Sequence, residues 1–246
     1  MPQWMVNSGF GDLMMVVRWF VVVLVVIAGT ASGEVRVQSF DGDRGSGLES
    51  LNAEYLVSVP ELKDGETAPL VIYLHGSGGV GKKIEKIRGQ VSQVIKGIEK
   101  FKKGPCIVVA PQATQKPKSG PRAGWLASDL DLLMTDLKAR FAVDPNRVYL
   151  TGNSMGGYGS WLWGGHSPAH FAAIAPVSGG LGPGGPKDVT PELEAWAKKL
   201  ATVPVYAAVG GKDRVVPAER SERMVKAIKA AGGMEAVLKV YPEEGP

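Results

Sequence analysis

The chain has 246 residues, enough for one sizeable domain, and 44% of them are apolar. Its 28 basic and 24 acidic residues leave a mild net charge of +4. Nucleic-acid binding would need a basic stripe with recognisable motifs, and the sequence has none. The single cysteine, Cys106, excludes an intrachain disulfide, and we interpret it as a core residue because it opens an apolar run.

The first segment in chain order has the layout of a secretory signal peptide. Arg18 precedes an unbroken apolar run from Trp19 to Ile27, and small residues follow at 28–33. The run is shorter than the ~20 residues that a membrane span needs. We therefore predict a signal peptide over residues 1–33, a folded domain over 34–246, and a secreted or periplasmic location. An uncleaved membrane anchor is the alternative.

Strand-like and helix-like patterns alternate beyond residue 34. Strands are predicted at 34–39, 53–59, 70–74, 107–110, 148–151, 172–177, 205–209 and 236–241. Helices are predicted at 82–101, 128–141, 155–164, 191–200 and 217–231. Because such alternation builds a mostly parallel sheet with helices on both faces, the sequence predicts an α/β fold. Functional residues are expected at the carboxyl ends of the strands.

A glycine-rich loop follows the third predicted strand. Residues 76–83 read GSGGVGKK and nearly match the phosphate-binding P-loop, G-x-x-x-x-G-K-[ST]. Lys83 stands where that motif needs a hydroxyl for magnesium. No later predicted strand ends in an acidic residue suited to the metal, since 107–110 runs into Pro111 and Gln112. Nucleotide binding is therefore the minor alternative for this loop.

A nucleophile elbow is predicted at residues 152–156. These residues read Gly-Asn-Ser-Met-Gly, a G-x-S-x-G pattern between a strand-like run and a helix-like segment. That order marks a sharp strand-to-helix turn that exposes a serine hydroxyl. Glycines two before and two after the serine suit a turn with no room for side chains. The pattern predicts Ser154 as a nucleophile, with an ordinary Gly/Ser turn as the alternative.

The same elbow predicts an oxyanion hole. Hydrolases with this elbow take one donor from the residue after the nucleophile and another from the loop after an earlier strand. Here these are the backbone N–H groups of Met155 and Ser77, with Gly76 and Gly78 as alternatives for the loop donor. Two fixed donors aimed at a developing oxyanion are usually the largest electrostatic contribution to acyl transfer.

Asp213 is the predicted acid of a catalytic triad. It lies in the loop after the predicted strand 205–209, where the chain order serine, aspartate, histidine places the acid. The alternatives are a surface-loop aspartate or a helix N-cap at this position, and Asp188 is the next candidate for the acid.

Trp125 is the predicted substrate-stacking residue. It stands in a loop before a predicted helix, where an aromatic ring suits an aromatic or sugar group of a substrate. Trp161 and Trp163 cannot share one face of a helix, so at least one of them is expected in the core.

Together these motifs carry a family resemblance. The matching stretches are residues 74–79, 144–159 and 171–180 with the Asp213 loop, within a similarity that extends over 53–245. The chain resembles secreted serine esterases of the α/β-hydrolase superfamily, above all its branch of carboxylesterases, predicted peptidases and polyhydroxyalkanoate-depolymerase-like proteins. The resemblance implies an α/β-hydrolase fold and hydrolysis of small-molecule or polymer-linked carboxylic esters through an acyl-enzyme, without metal or cofactor. A peptide substrate on the same scaffold is the alternative.

The sequence departs from this family at the catalytic histidine. Such proteins carry a histidine after the final strand, in a pattern like Tyr-Pro-x-x-Gly-His, whereas here Tyr241–Gly245 is followed by Pro246. His75 belongs to the oxyanion-loop motif, and His166 and His170 are expected on the surface. We therefore expect a chain truncated before its catalytic histidine. The alternative from a different class is a non-catalytic binding protein that keeps the pocket without the base.

Overall fold

One eight-stranded sheet forms the centre of the computed structural model, which describes residues 33–101, 104–115, 124–182 and 190–245. The strands are β1 Arg36–Ser39, β2 Leu51–Ser58, β3 Ala68–Leu74, β4 Ile107–Ala113, β5 Val143–Asn153, β6 Ala173–Val177, β7 Val205–Gly210 and β8 Ala236–Tyr241. The described helices are α1 Arg88–Phe101, α2 Ala127–Arg140, α3 Met155–His166, α4 Leu193–Leu200 and α5 Ala218–Ala230. The predicted signal peptide, apart from Gly33, lies outside the described residues and stays a prediction.

The strand order is β1-β2-β4-β3-β5-β6-β7-β8. The pairs β1–β2 and β2–β4 are antiparallel, and the pairs from β4–β3 onwards are parallel. The predicted mostly parallel sheet is therefore confirmed. Because parallel strands share one direction, β3, β5, β7 and β8 all end at the same edge of the sheet.

Both faces of the sheet are covered, which explains the unbroken apolar run of β3. Leu70, Ile72 and Leu74 pack on one face, in the same buried cluster as side chains of α2, α3, α4 and α5. Val71 and Tyr73 point to the other face and pack in the cluster that contains the apolar residues of α1. Each fully buried Leu or Ile contributes about 1.5–3 kcal/mol relative to an exposed one, so this strand is a major source of stability.

The helix predicted at 82–101 starts later in the structure. Its first turn is a 3-10 turn, Ile84–Ile87, which buries both isoleucines, and α1 begins at Arg88. The carbonyls of Lys82 and Lys83 accept hydrogen bonds from the side chains of Asn52 and Gln112, at 3.2 and 3.0 Å. The Lys82 carbonyl is thus engaged outside the helix, and the Lys83 carbonyl is shared between Gln112 and the N–H of Lys86 (3.0 Å) in the 3-10 turn. The predicted helix is confirmed from Arg88 onwards.

Strand β5 is longer than predicted because a turn-like sequence is absorbed into it. It starts at Val143, which pairs with Ala68, and the register with β3 shifts before Leu70. Asp144 accepts a hydrogen bond from the N–H of Asn146 (2.9 Å) and pairs with Arg147 (2.6 Å). The Asp-Pro-Asn-Arg segment is thus held locally at the start of the strand that carries Ser154.

Two further observations concern the described ranges. Cys106 is buried, which confirms its predicted place in the core. No helix in the described part of the chain has the length and apolar character needed to cross a bilayer.

Candidate active site

Ser154 occupies a strained turn between β5 and α3. Its φ of 53° and ψ of −116° lie in a backbone region that costs a non-glycine residue about 1–3 kcal/mol. The turn is held from both sides, because the Ser154 N–H donates to the carbonyl of Val177 and the Ser154 carbonyl accepts from the N–H of Tyr158, each at 3.0 Å. The strain is therefore maintained by the end of β6 and by the first turn of α3.

The glycines around Ser154 allow three backbone segments to touch. A Cβ on Gly152 would lie 2.5 Å from the Leu74 carbonyl oxygen, and one on Gly156 would overlap the same oxygen. A Cβ on Gly157 would overlap the carbonyl oxygen of Val177. The N-terminus of α3 thus packs directly on the carboxyl ends of β3 and β6, as the steric argument from the sequence requires.

Both predicted oxyanion donors belong to segments that adjoin Ser154. Met155 is the first residue of α3, and Ser77 is an exposed residue that opens a 3-10 turn, Ser77–Gly79. Neither N–H donates a hydrogen bond to any part of the chain that the structure describes. The loop passes close to the nucleophile, since a Cβ on Gly76 would lie 3.7 Å from the Cβ of Ser154. The donor role of these groups stays a prediction.

His75 is locked beneath this loop as a neutral imidazole. It is fully buried, its Nε2 accepts the N–H of Ala113 at 3.0 Å, and its Nδ1 therefore carries the proton and donates to the Gly76 carbonyl at 2.7 Å. Burial, opposed by the bond to Gly76 and assisted by Lys86, lowers the pKa of His75 to about 4. Both ring nitrogens are engaged, so this histidine is not placed to accept a proton from Ser154.

The glycine-rich loop does not form a phosphate cradle. A P-loop points successive free N–H groups at its ligand. Here the N–H groups of Gly79, Val80 and Gly81 donate instead to the carbonyls of Gly76 (2.9 Å), Ser77 (3.3 Å) and Ala113 (3.0 Å). The nucleotide-binding alternative therefore loses its structural basis.

Asp213 lies at the same edge of the sheet, directly after β7. It is buried, and its Oδ1 accepts the N–H groups of Val215 (2.9 Å) and Val216 (2.8 Å). No described residue donates to its Oδ2. Strands β5 and β7 are separated by β6 alone, which places their ends about 10 Å apart at the usual strand spacing. An imidazole fits between groups at that separation.

The segment after β8 runs alongside the Asp213 loop. The N–H of Gly211 donates to the carbonyl of Tyr241 (2.7 Å), and that of Lys212 donates to the carbonyl of Glu244 (2.8 Å). Lys212 also forms an ion pair with Glu243. Gly245, the last described residue, also lies beside this loop, since a Cβ on it would lie 3.7 Å from the Lys212 carbonyl oxygen.

His166 and His170 lie far from Ser154. His166 ends α3, about 18 Å along the helix axis from the serine at 1.5 Å per residue. Both histidines face Asp131, at 3.7 and 3.4 Å. None of the three histidines in the sequence is thus positioned as the base of Ser154.

The predicted stacking role of Trp125 is wrong for this structure. Its side chain is 1% exposed and packs edge-on against His75, with ring centroids 4.9 Å apart. A Cβ on Gly159 would lie 2.5 Å from its Cδ1, so the ring also fills the space beside α3. Trp125 therefore packs beneath the glycine-rich loop and presents no face to a substrate. Trp161 and Trp163 are both core residues.

Two residues near Ser154, Ser178 and Asn153, have structural roles that the sequence did not predict. Ser178 directly follows β6 with a left-handed φ of 48°, and its N–H donates to the carbonyl of Ala208 at 2.8 Å. Asn153 precedes the nucleophile and accepts a hydrogen bond from Tyr73 Oη at 2.7 Å. The glycines after Ser178 were the available signal for a tight backbone there.

Within the described ranges, no group of three or more His, Cys, Asp or Glu side chains is arranged to hold a metal ion. Asp188, the second candidate for the triad acid, lies outside the described residues.

A mostly parallel eight-stranded sheet with a strained serine between a strand and a helix defines an α/β-hydrolase-fold protein. The sequence profile of the Dienelactone hydrolase family matches residues 110–245, and the chain belongs to that family. The resemblance inferred from the motifs is thereby confirmed at the level of the superfamily and its esterase and peptidase branch.

Two curated proteins and two solved structures illustrate the similarity. The "Putative carboxymethylenebutenolidase" of Methylorubrum extorquens is 35% identical over 124 residues, which is 48% of this chain and 40% of that protein. Feruloyl esterase C of Emericella nidulans is 29% identical over 144 residues, or 55% of this chain and 50% of the other. The chain thus spans half or less of the length of these relatives.

A crystal structure of a thermostable esterase superposes with a TM-score of 0.65 at 25% identity, covering 85% of this chain and 55% of the other. The feruloyl esterase module from Clostridium thermocellum superposes with a TM-score of 0.61 at 14% identity, covering 89% and 84%. At that identity the second comparison supports the fold alone.

Proposed function

We propose that this protein is a serine hydrolase that cleaves carboxylic esters through an acyl-enzyme intermediate. The observation that carries the proposal is the strained Ser154, held between β6 and α3. The N–H groups of Met155 and Ser77, in the adjoining segments, donate to no other residue that the structure describes. Strain of this kind concentrates at functional sites, and here it directs a hydroxyl to the edge of the sheet. Membership in a hydrolase family and similarity to a feruloyl esterase support an ester over a peptide substrate.

The proposed reaction has two halves. Ser154 Oγ attacks the ester carbonyl carbon while an imidazole takes its proton, and the carbonyl oxygen becomes an oxyanion that the two N–H groups stabilise. The tetrahedral intermediate collapses, the C–O bond to the alcohol breaks, and the imidazole returns the proton to the departing alcohol. Water, deprotonated by the same imidazole, then attacks the carbonyl carbon of the acyl-enzyme. The bond to Ser154 Oγ breaks, the imidazole returns the proton to that oxygen, and the acid leaves. Asp213 Oδ2 orients the imidazole and stabilises its protonated form.

The imidazole belongs, in this proposal, directly after Gly245. The family pattern Tyr-Pro-x-x-Gly-His puts it there, and the hydrogen bonds from Gly211 and Lys212 hold the preceding segment against the Asp213 loop. Pro246 occupies that position in this sequence. A pocket that binds esters without turning them over is the second candidate. It is favoured by the placement of the described histidines, because His166 and His170 lie at the far end of α3 and both ring nitrogens of His75 are engaged.

The test is a Pro246→His substitution, with Pro246→Ala as the matched control. A positioned general base contributes about 10²–10⁴ in rate, so we expect at least a hundredfold faster hydrolysis of 4-nitrophenyl acetate by the histidine variant. Adding Ser154→Ala to it is expected to abolish the gain. Equal turnover by the histidine and alanine variants, or a gain that survives Ser154→Ala, would contradict the proposal.

We further propose that the protein is exported through residues 1–33, which supports a small-molecule or polymer-linked ester as substrate. Expression of the full chain in a bacterium, followed by N-terminal sequencing of the periplasmic and culture fractions, tests this. A mature protein that starts near residue 34 is expected, whereas an intact N-terminus on protein that stays with the membranes would favour the uncleaved anchor.

A further inference from the structure

The glycine-rich loop between β3 and α1 has little structure of its own. Four of the six residues 76–81 are glycine, and glycine restricts the backbone less than any other residue. Within the loop only two backbone hydrogen bonds form, from Gly79 to Gly76 (2.9 Å) and from Val80 to Ser77 (3.3 Å). An oxyanion donor must be held within a fraction of an ångström, so the loop needs support from outside.

That support comes from the end of β4. The loop has a near arm, residues 75–78, and a far arm, residues 79–83. Gln112 is fully buried, and its Nε2 donates to the carbonyls of Gly79 (2.9 Å) and Lys83 (3.0 Å) on the far arm. Its neighbour Ala113 accepts the N–H of Gly81 (3.0 Å), also on the far arm, and its own N–H donates to His75 (3.0 Å), at the start of the near arm. Two consecutive residues of one core strand therefore hold both arms of the loop.

The orientation of the Gln112 carboxamide is set by a further residue. Asn52 accepts the N–H of Glu54 on its Oδ1 (3.2 Å), so its Nδ2 donates to Gln112 Oε1 (3.0 Å) and to the Lys82 carbonyl (3.2 Å). With its oxygen engaged by Asn52, the Gln112 carboxamide turns both N–H bonds towards the loop. A fully buried glutamine is uncommon, and here its hydrogen-bonding capacity is directed at the two loop carbonyls.

We propose that Gln112 is a positioning residue of the oxyanion hole: its carboxamide fixes the far arm of the loop so that the Ser77 N–H stays aimed at the carbonyl oxygen bound at Ser154. The inference rests on the proposed function. Gln112 touches no reacting atom and acts through Gly79 and Lys83. Substrate binding in the ground state depends on other walls of the pocket, so loss of this support should lower kcat and leave KM nearly unchanged.

The experiment compares Gln112→Met with Gln115→Met in the full chain that carries Pro246→His. Methionine keeps the length of glutamine without its N–H groups, and Gln115 is exposed at the same end of β4. Loss of one oxyanion donor costs about 10²–10³ in kcat, so a displaced donor should cost about 10–10² with KM within twofold. Asn52→Ala, a milder change, should lower kcat about threefold to tenfold by releasing the Gln112 carboxamide. Gln115→Met should leave both constants unchanged.

Hydrogen–deuterium exchange of the unsubstituted chain and its Gln112→Met variant provides a readout that needs no turnover. Exchange at residues 75–83 should accelerate in the variant, with protection of β3 and β5 retained. Unchanged exchange there would overturn the inference, as would an unchanged kcat. A loss of kcat that comes with global unfolding, seen as faster exchange in β3 and β5 as well, would also overturn it. If Ser154→Ala leaves turnover unchanged, the proposed function is refuted. The exchange result would still decide whether Gln112 holds the loop.

Discussion

His75 offers a test of the site that does not depend on catalysis. It bridges the glycine-rich loop and β4 as a neutral ring: its Nδ1–H donates to the Gly76 carbonyl, and its Nε2 accepts the Ala113 N–H. Protonation would place a second proton opposite the Ala113 N–H and a charge in a fully buried site. We therefore expect His75 to destabilise the folded chain in acid, and His75→Gln to remove that effect, because an amide donates and accepts without titrating.

The size of the effect follows from the pKa of His75, which burial lowers from 6.5 to about 4. Between these values the unfolded chain binds a proton that the folded chain does not, so the free energy of unfolding rises with pH across this interval. At 1.36 kcal/mol per pH unit the interval corresponds to about 3 kcal/mol. This stabilisation is complete above pH 6.5 and is lost as the pH falls towards 4.

The assay is urea unfolding of the original chain and the His75→Gln variant at pH 4, 5, 6 and 7. Carboxylates titrate in both chains and cancel in the difference. We expect the stability advantage of the original chain over the variant to shrink by about 3 kcal/mol between pH 7 and pH 4. A constant difference over this range, or an NMR titration of His75 near 6.5, would refute the reasoning.

Two further predictions concern Asp213 and Ser178. In the Pro246→His chain, Asp213→Asn should lower kcat by about 10⁴. The thermal midpoint should hardly change, because the asparagine Oδ1 still accepts the N–H groups of Val215 and Val216. Steady-state kinetics and thermal unfolding measure the two effects, and a loss of kcat under tenfold would point to another acid. Ser178→Gly should raise the free energy of unfolding by about 1 kcal/mol by relieving the left-handed φ of 48°, whereas Ser178→Ala should stay within about 0.5 kcal/mol of the original. Urea unfolding distinguishes them, and a destabilised glycine variant would show that Ser178 is not strained.

The elbow was predictable from the sequence because its physics is local. Gly152 and Gly156 flank Ser154 at the spacing that a close backbone approach demands, and both meet the Leu74 carbonyl in the structure. The sheet was predictable for a similar reason, since an unbroken apolar strand such as β3 must be covered on both faces. The place of Asp213 followed from chain order along that sheet.

Residues whose role depends on distant packing were not predictable. Trp125 was expected to face a substrate, but its ring is buried because His75 and Gly159, remote in sequence, leave a space of its shape. Nothing in the sequence around Ser178 indicates which residue takes the left-handed turn. The sequence around Gln112 indicates only that this residue is unsuited to bind magnesium. Its structural role is not predictable, because its partners Gly79, Lys83 and Asn52 come together only in the fold.

The central claim is that Ser154 is an activated nucleophile, and covalent labelling tests it most directly. The Pro246→His chain is incubated with a fluorophosphonate probe and analysed by peptide mass spectrometry. The probe should modify Ser154 and leave every other serine unmodified. Labelling should disappear in Ser154→Ala and weaken in Asp213→Asn. Modification of the Ser154→Ala chain to the same extent, or no labelling of the folded histidine-bearing chain, would contradict the account.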